Sequence, residues 1–251
     1  MNSLAFKLAV QTIIELVLYT SLFLWNGVTL IFAIFLAILV LLGIRTFLVI
    51  LSFIIAWIYR SPAPPAMQLG LGQTIKMVLI ELWAFLLTTL VVQTLEYWLV
   101  ERQPPDNSSS SLLGRLPVIL VHGLNCNSGY WWVMHRYLKK RGITQLFTIN
   151  LEPVFDDIEN FAQQLARRVE EVCTISQSER VILVGHSMGG LVSRVYYHRY
   201  GGKKRIAKII TIGSPHHGSQ HARLLWGKNL RQMRLNNAWL NELNQLQERY
   251  H

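Results

Sequence analysis

Charge is almost missing from the first hundred residues of this chain, cysteine is scarce throughout, and aspartate stops early. Residues 1–100 carry four basic side chains (Lys7, Arg45, Arg60, Lys76) and three acidic ones (Glu15, Glu81, Glu96). So little charge cannot dress the surface of an ordinary soluble domain, and this excludes one from the N-terminal part. The two cysteines, Cys126 and Cys173, lack metal-type spacing and give neither a disulfide framework nor a zinc site. Sequence does not tell whether they pair, and no cofactor or metal is implied. The net charge is +10, of which +9 falls in residues 101–251. No nucleic-acid motif or basic-aromatic stripe goes with it, so nucleic acid is not an expected partner. Attraction to anionic lipid headgroups and a merely solvated basic surface both account for the excess.

What fills residues 1–100 is apolar sequence. Leu8 to Leu24 is about long enough to cross a bilayer if its flanks help, and Trp25-Asn26-Gly27 then makes a tight turn. Val28 to Tyr59 runs on with Arg45 as its only charge, as one long helix or two short ones. Ser61-Pro-Ala-Pro-Pro65 breaks the helix, and Met77 to Leu99 is a further apolar stretch holding Glu81, Gln93 and Glu96. These features predict about three spans in a transmembrane helical region, 1–100. The apolar region is far longer than the core of a signal peptide, so these helices are expected to stay in the protein. With three spans, Lys7, Arg45, Arg60 and Lys76 fall on the cytoplasmic side, which puts residues 101 onward on the non-cytoplasmic side.

Residues 101–115 read as a linker, with Gln103-Pro-Pro-Asp-Asn followed by four serines. Asn107-Ser108-Ser109 fits the N-glycosylation pattern, which matters only in a eukaryotic secretory pathway. Strands then alternate with helices: Pro117–Val121, a helix from Tyr130 to Lys140, Leu146–Ile149, a helix from Asp156 to Thr174, Val181–Val184, a helix from Met188 to Arg199, and Ile206–Ile212. The long helix has a capping-box-like start, Asp156 with Glu159 three residues on. The alternation predicts an α/β fold, a mostly parallel sheet with helices on both faces.

The stretch Val181-Ile-Leu-Val-Gly-His-Ser-Met-Gly-Gly190 gives that sheet its chemistry. A buried strand reverses into a helix through a turn with a serine at its apex. Such a turn strains the backbone and brings strand and helix together, so its flanks must lack a Cβ, a need that Gly185 and Gly189 meet. Ser187 is the candidate nucleophile. It stands at a helix N-terminus, whose partial positive charge favours a developing oxyanion. The loop His122-Gly123-Leu124-Asn125 follows the first strand at the same end of the sheet. The backbone N–H groups of Leu124 and Met188 are the candidate oxyanion donors. His122 is expected to be a structural histidine that holds its loop by a side-chain hydrogen bond.

Three motifs in this order, Val118-Ile-Leu-Val-His-Gly-Leu, Gly185-His-Ser-Met-Gly-Gly and Thr211-Ile-Gly-Ser-Pro-His-His-Gly-Ser219, resemble α/β-hydrolases, and within them bacterial triacylglycerol lipases. The resemblance covers about 117–243. It implies carboxylester hydrolysis through an acyl-enzyme, with Ser187 as nucleophile and Leu124 and Met188 as oxyanion donors. It also implies an acid and a histidine on later strands, and there the chain departs. No aspartate follows Asp157, and Glu242 and Glu248 are the only carboxylates after Ser187. His198 sits behind the serine, and His216 and His217 belong to a motif the family uses as a rigid loop. No strand is legible after Ile212. The expectation is a hydrolase domain, 116–251, incomplete at its C-terminus, whose acid and histidine lie beyond His251.

Residues 219–251 are helical and amphipathic in pattern, with an apolar knot at Leu224-Leu225-Trp226. In lipases this region resembles the lid, and a packing helix is the alternative, favoured for 236–246. Lys203, Lys204, Arg205 and Lys208 belong to a turn at the opposite end of the sheet. Together these features indicate a membrane-anchored carboxylic ester hydrolase of lipase type, with a lipid or ester substrate and the membrane as partners and an unspecified oligomeric state. An acyltransferase or lipid deacylase on the same scaffold, or a non-catalytic membrane protein that keeps the fold for binding, are the alternatives.

Overall fold

A computed structural model of the chain describes residues 3–59, 69–100 and 116–248. The proline-rich break at 61–65, the linker at 103–111, Arg60, Asn107, the side chain of Glu248 and His251 lie outside the described residues. Two compact units result, one of Ala5–Thr94 and one of Leu95–His251 with the first four residues.

The first unit is all helix. Helix α1 spans Ser3–Trp25, α2 Leu30–Ile58 and α3 Leu71–Leu86, and α3 continues through a π-helical turn at Leu87–Val92. Three segments, Leu4–Trp25, Leu30–Ile58 and Leu71–Val92, are long and apolar enough to cross a membrane. The run after the first turn is one helix of 29 residues, about 43 Å long at ~1.5 Å per residue, and not two short ones. Its only glycine, Gly43, is not enough to break it. The third segment starts earlier than Met77 because the Gln73 side chain accepts a 3.1 Å hydrogen bond from the Gly70 N–H and opens the helix there. It also stops earlier, at Val92, and does not run on to Leu99. Arg45, the lone charge of the run, lies inside α2, where it donates a 2.6 Å hydrogen bond to Glu15, and Gln11 donates to the same carboxylate. Pairing is how an apolar helical environment tolerates two such charges.

The second unit opens with a short helix, α4 (Glu96–Leu99), and then alternates. Strand β1 is Val118–Val121, a 3₁₀ turn at Ser128–Trp131 leads into α5 (Trp132–Lys140), and β2 is Leu146–Ile149. Helix α6 (Ile158–Ser176), β3 (Val181–His186), α7 (Met188–Arg199), α8 (Gly202–Arg205) and β4 (Ile206–Ile212) follow. A second 3₁₀ turn at Gln220–Arg223 leads to α9 (Lys228–Gln232) and α10 (Ala238–Glu248). The sheet order is β2-β1-β3-β4 and every pair is parallel.

Alternation along the strands divides the core. Ile119, Val121, Phe147, Ile149, Val181 and Leu183 pack against the apolar stripe of α6 and against α7 and α10. Val118, Leu120, Leu146 and Val184 face the other way, onto Trp131 and the α5 side chains Met134 and Leu138. The expected covering of both faces therefore holds over β1, β2 and β3. It fails at β4, where Ile210 and Ile212 are exposed at 44% and 38%. The start of α6 also differs from expectation. Asp157, not Asp156, is its N-cap and accepts from the Glu159 N–H at 2.9 Å. Gln232 selects that cap, because it donates to Asp157 Oδ1 at 2.8 Å and accepts from the Ile158 N–H at 3.0 Å. Asp156 instead bonds Asn160 and Lys228.

Asp157→Ala is expected to cost about 1–2 kcal/mol, since it removes both the cap and the acceptor for Gln232. Asp156→Ala is expected to cost less than half of that. Denaturation midpoints of the two variants, measured in the same detergent, check the assignment.

Candidate active site

The chain leaves β1 outward to β2 and returns across β1 to β3, so the carboxyl ends of β1 and β3 border a topological switch point. Crevices of this kind are where open α/β sheets bind ligands. The loop beginning at His122 leaves one side of this crevice and the turn at Ser187 leaves the other.

Ser187 has φ 51° and ψ −122°, a conformation that side chains other than glycine rarely adopt. Its own N–H donates to the Ile212 carbonyl of β4 at 2.9 Å, and its carbonyl accepts from the Gly190 N–H at 3.1 Å. The surrounding glycines have no room for a side chain. A Cβ on Gly189 would stand 2.2 Å from the Val121 carbonyl oxygen, and one on Gly185 would stand 2.6 Å from the Gly189 backbone. A Cβ on Gly190 would fall 2.0 Å from Ser214 Oγ, which ties the turn to the Ser-Pro-His-His-Gly loop after β4. Opposite the serine, a Cβ on Gly123 would come within 3.0 Å of Ser187 Cβ. The loop after β1 therefore lies directly against the serine turn.

The structure brings all three sequence-derived residues, Ser187, Met188 and Leu124, to this crevice. Met188 is the first residue of α7, so its N–H has no helical acceptor behind it. Among the described residues no hydrogen bond occupies the Leu124 or Met188 N–H, and none reaches the Ser187 hydroxyl. The Met188 side chain is buried and its sulfur lies 3.3 Å from Asn229 Nδ2, which also donates to the Val154 carbonyl. Asn229 thus fixes the loop after β2 to the rim of the site, a role that its place in an amphipathic stretch did not reveal.

The histidines around the serine are committed elsewhere. Nδ1 of His122 donates to the Gly123 carbonyl at 2.8 Å and Nε2 accepts from the Leu151 N–H at 3.0 Å, so the ring holds the loop as expected. Burial pushes its pKa from 6.5 down to about 4. The ring of His186 stacks on Tyr130 with centroids 4.4 Å apart, and burial lowers its pKa as well. His216 Nδ1 lies 3.0 Å from the guanidinium of buried Arg194, which can only donate, so this nitrogen is the acceptor. Its Nε2 then donates to Thr211 Oγ1 at 3.1 Å. Glu242 pairs with Arg199 at 2.9 Å, and Arg199 also bonds Glu159. Among the described residues, no histidine is hydrogen-bonded to Ser187. Both cysteines are free, and burial raises the Cys126 thiol to about 12.

The lid-like segment divides. Leu230 and Met233 are in the core, as are Leu240 and Leu243 of α10, so this part packs. Leu224, Leu225 and Trp226 stand out at 59%, 53% and 91% exposure. Phe155, half exposed, lies beside them, since its Cβ would be 3.2 Å from a Cβ on Gly227.

A parallel sheet with a strained serine turn at its switch point, a helix behind the serine and a glycine-opened loop facing it defines an α/β-hydrolase domain. Residues 117–249, just over half of the chain, match the Palmitoyl protein thioesterase family, and the chain belongs to that family. It is 36% identical over 116 residues to a triacylglycerol lipase of Pseudarthrobacter phenanthrenivorans, a match that covers 43% of this chain and 35% of that protein. A triacylglycerol lipase of Burkholderia plantarii is 36% identical over 116 residues, covering 43% and 32%. The chain thus spans about a third of the length of these curated relatives. Among solved structures, a Bacillus licheniformis lipase in its mature form is 22% identical with a TM-score of 0.48, over 60% of this chain and 64% of that one. Aspergillus fumigatus lipase B is 21% identical with a TM-score of 0.48, over 56% and 36%.

Two stability measurements probe this site. Below its unfolded pKa of 6.5 the unfolded His122 takes up a proton, whereas the folded one resists until about pH 4. The unfolded state therefore binds more protons across that window, and stability falls as pH falls from 6.5 to 4, by about 3 kcal/mol in full from this residue. Denaturation midpoints at stepped pH are expected to fall less steeply in His122→Gln. Ser187→Gly removes the strain at φ 51° and is expected to stabilise the fold by about 1 kcal/mol, while Ser187→Ala does not. Thermal midpoints of the two variants decide.

Proposed function

We propose that this chain carries the nucleophilic and oxyanion-binding half of a membrane-attached serine hydrolase that cleaves fatty-acyl esters or thioesters. The observation that carries it is the Ser187 backbone at φ 51°, held between glycines at the N-terminus of α7 and facing the Gly123 loop. Strain of this kind persists only where packing imposes it, and it aims the hydroxyl into the crevice. Ser187 Oγ attacks the acyl carbonyl carbon while the N–H groups of Leu124 and Met188 receive the oxyanion, each worth about 10²–10³ in rate. Collapse of the tetrahedral intermediate releases the alcohol or thiol and leaves an acyl-serine, which water then hydrolyses.

The proton from Ser187 needs a base, and no described histidine bonds the serine. On this reading the base and its orienting acid are groups other than the described histidines, which are committed elsewhere. The bare face of β4, with Ile210 and Ile212 exposed, supports further structure beside it, because parallel strands are ordinarily covered. The apolar knuckle at Leu224-Leu225-Trp226 suits contact with acyl chains at a lipid surface, and the three apolar helices suit attachment to one. Lys7 and Lys76, near the starts of α1 and α3, favour the hydrolase unit on the non-cytoplasmic side.

A thiolate leaves with a conjugate-acid pKa near ~8.5 and needs less protonation than an alkoxide. The 251-residue chain is therefore expected to be acylated by a palmitoyl thioester or an activated p-nitrophenyl ester faster than by an alkyl ester, with little turnover afterwards. Intact mass spectrometry reads the acyl adduct and peptide mapping places it on Ser187. Ser187→Ala abolishes the adduct, and equal acylation or robust ester turnover in that variant sinks the proposal.

A further inference from the structure

Glu96 is a carboxylate that the serine chemistry does not use, yet it is 2% exposed within the hydrolase unit. It lies two residues after Thr94, where the apolar helical unit ends. Its sequence position suggested only a polar residue near the end of a membrane segment. In the fold it meets two side chains of the active-site rim. The Ser128 hydroxyl donates to Glu96 Oε1 in a short hydrogen bond, and Asn150 Nδ2 donates to the same oxygen at 3.1 Å.

Those two partners bound the loop that faces Ser187. Asn150 Oδ1 accepts from the Ser128 N–H at 2.7 Å, which pins the far end of the loop. The next residue, Leu151, pins the near end through its N–H to His122 Nε2 at 3.0 Å. Two consecutive residues after β2 thus hold both ends of the segment 122–128, and Leu124 lies between them. An amide can turn over and exchange its donor with its acceptor, and then Asn150 would point a donor at the Ser128 N–H. Glu96 prevents this, because its oxygen demands the Asn150 NH₂ and leaves Oδ1 for Ser128. Leu99 and Val100 continue the seat, bordering a small groove with Ser128, Trp131 and Trp132.

We propose that Glu96 is a positioning residue for the oxyanion loop. By accepting from Ser128 and Asn150 together, it sets the amide that holds the loop against Ser187. The segment leaving the last apolar helix is thereby a working part of the catalytic rim. The consequence for catalysis rests on the hydrolase function proposed above, but the clamp itself does not.

Hydrogen–deuterium exchange on the full chain in detergent micelles tests it. In Glu96→Leu, amides of 122–130 are expected to exchange about tenfold or more faster than in wild type, while the α6 core at 161–172 stays protected. Glu96→Gln keeps an acceptor oxygen and is expected to restore loop protection to within about twofold of wild type. Wild-type exchange of the loop in Glu96→Leu overturns the proposal, and so does a Gln variant as fast as the Leu variant. If Glu96→Leu does not fold, Ser128→Ala decides in its place, a faster loop supporting the clamp and an unchanged one overturning it. Exchange is read with no turnover at all. Failure of wild type to acylate at Ser187 would thus count against the hydrolase and leave the clamp standing, while an unclamped loop in an acylating protein would do the reverse.

Discussion

The rim around Ser187 depends on backbone approaching backbone at distances that leave no space for a methyl group. At Gly189 the helix behind the serine comes so near the end of β1 that a Cβ would overlap the Val121 carbonyl oxygen at 2.2 Å. That contact does three things together. It forces the chain through the strained Ser187 conformation, it starts α7 directly under the crevice, and it sets the distance between the serine turn and the loop at Gly123. Close-packed interiors transmit displacement because they have no slack to absorb it. A side chain at Gly185, Gly189 or Gly190 would move the hydroxyl, the Met188 N–H and the Ser214 contact as a group.

Much of this was legible in the residues. Gly185 and Gly189 flank a serine between a β-branched run and a helical pattern, and a turn that tight needs glycine, so the position of the strained serine turn followed from sterics. The parallel sheet followed from the alternation of strands and helices, whereas the strand order that makes the crevice came from the structure. The misses have a common cause, which is that tertiary partners decide between local alternatives. Asp156 and Asp157 are equally good caps by composition, and Gln232, some 75 residues away, selects Asp157. Glu96 looked like a polar interruption of an apolar stretch because its partners, Ser128 and Asn150, are 32 and 54 residues distant. Arg45 was read only as the lone charge of an apolar run, placed on the cytoplasmic side, because its pairing with Glu15 spans 30 residues. Asn229 gave no signal at all, since a buried asparagine that bonds a carbonyl and a thioether has no sequence pattern of its own.

The segment 219–248 illustrates how exposure separates two roles that periodicity could not. Its apolar residues recur at helical spacing throughout, so packing and covering stood about even for 219–235, while packing was favoured for 236–246. Leu230, Met233, Leu240 and Leu243 are in the core with α6 and α7, while the three residues Leu224-Leu225-Trp226 are not. The break falls at Gly227, whose extended backbone, near φ 160°, turns the chain from the exposed knuckle back onto the domain. The Lys228 and Asn229 N–H groups then bond the Phe155 and Asp156 carbonyls and stitch this return to the loop after β2. The knuckle is therefore anchored at its base and bare at its tip.

The hydrogen bonds around His216 explain why proximity in sequence to the Ser-Pro-His-His-Gly motif does not make a base. A general base must have a free lone pair facing the proton it takes and must be able to bear the resulting charge. The lone pair of His216 at Nδ1 faces the Arg194 guanidinium, and its Nε2 proton is directed at Thr211. Protonating Nδ1 would set two cations against each other in a partly buried site, and burial with the charge of Arg194 already lowers the pKa of this ring. The histidine is instead a joint. Through Arg194 it is bound to α7, through Thr211 to β4, and through its own carbonyl to Asn244 of α10. The same arrangement holds the Ser214 hydroxyl against Gly190, so the loop after β4 supports the serine turn from behind rather than acting on its proton.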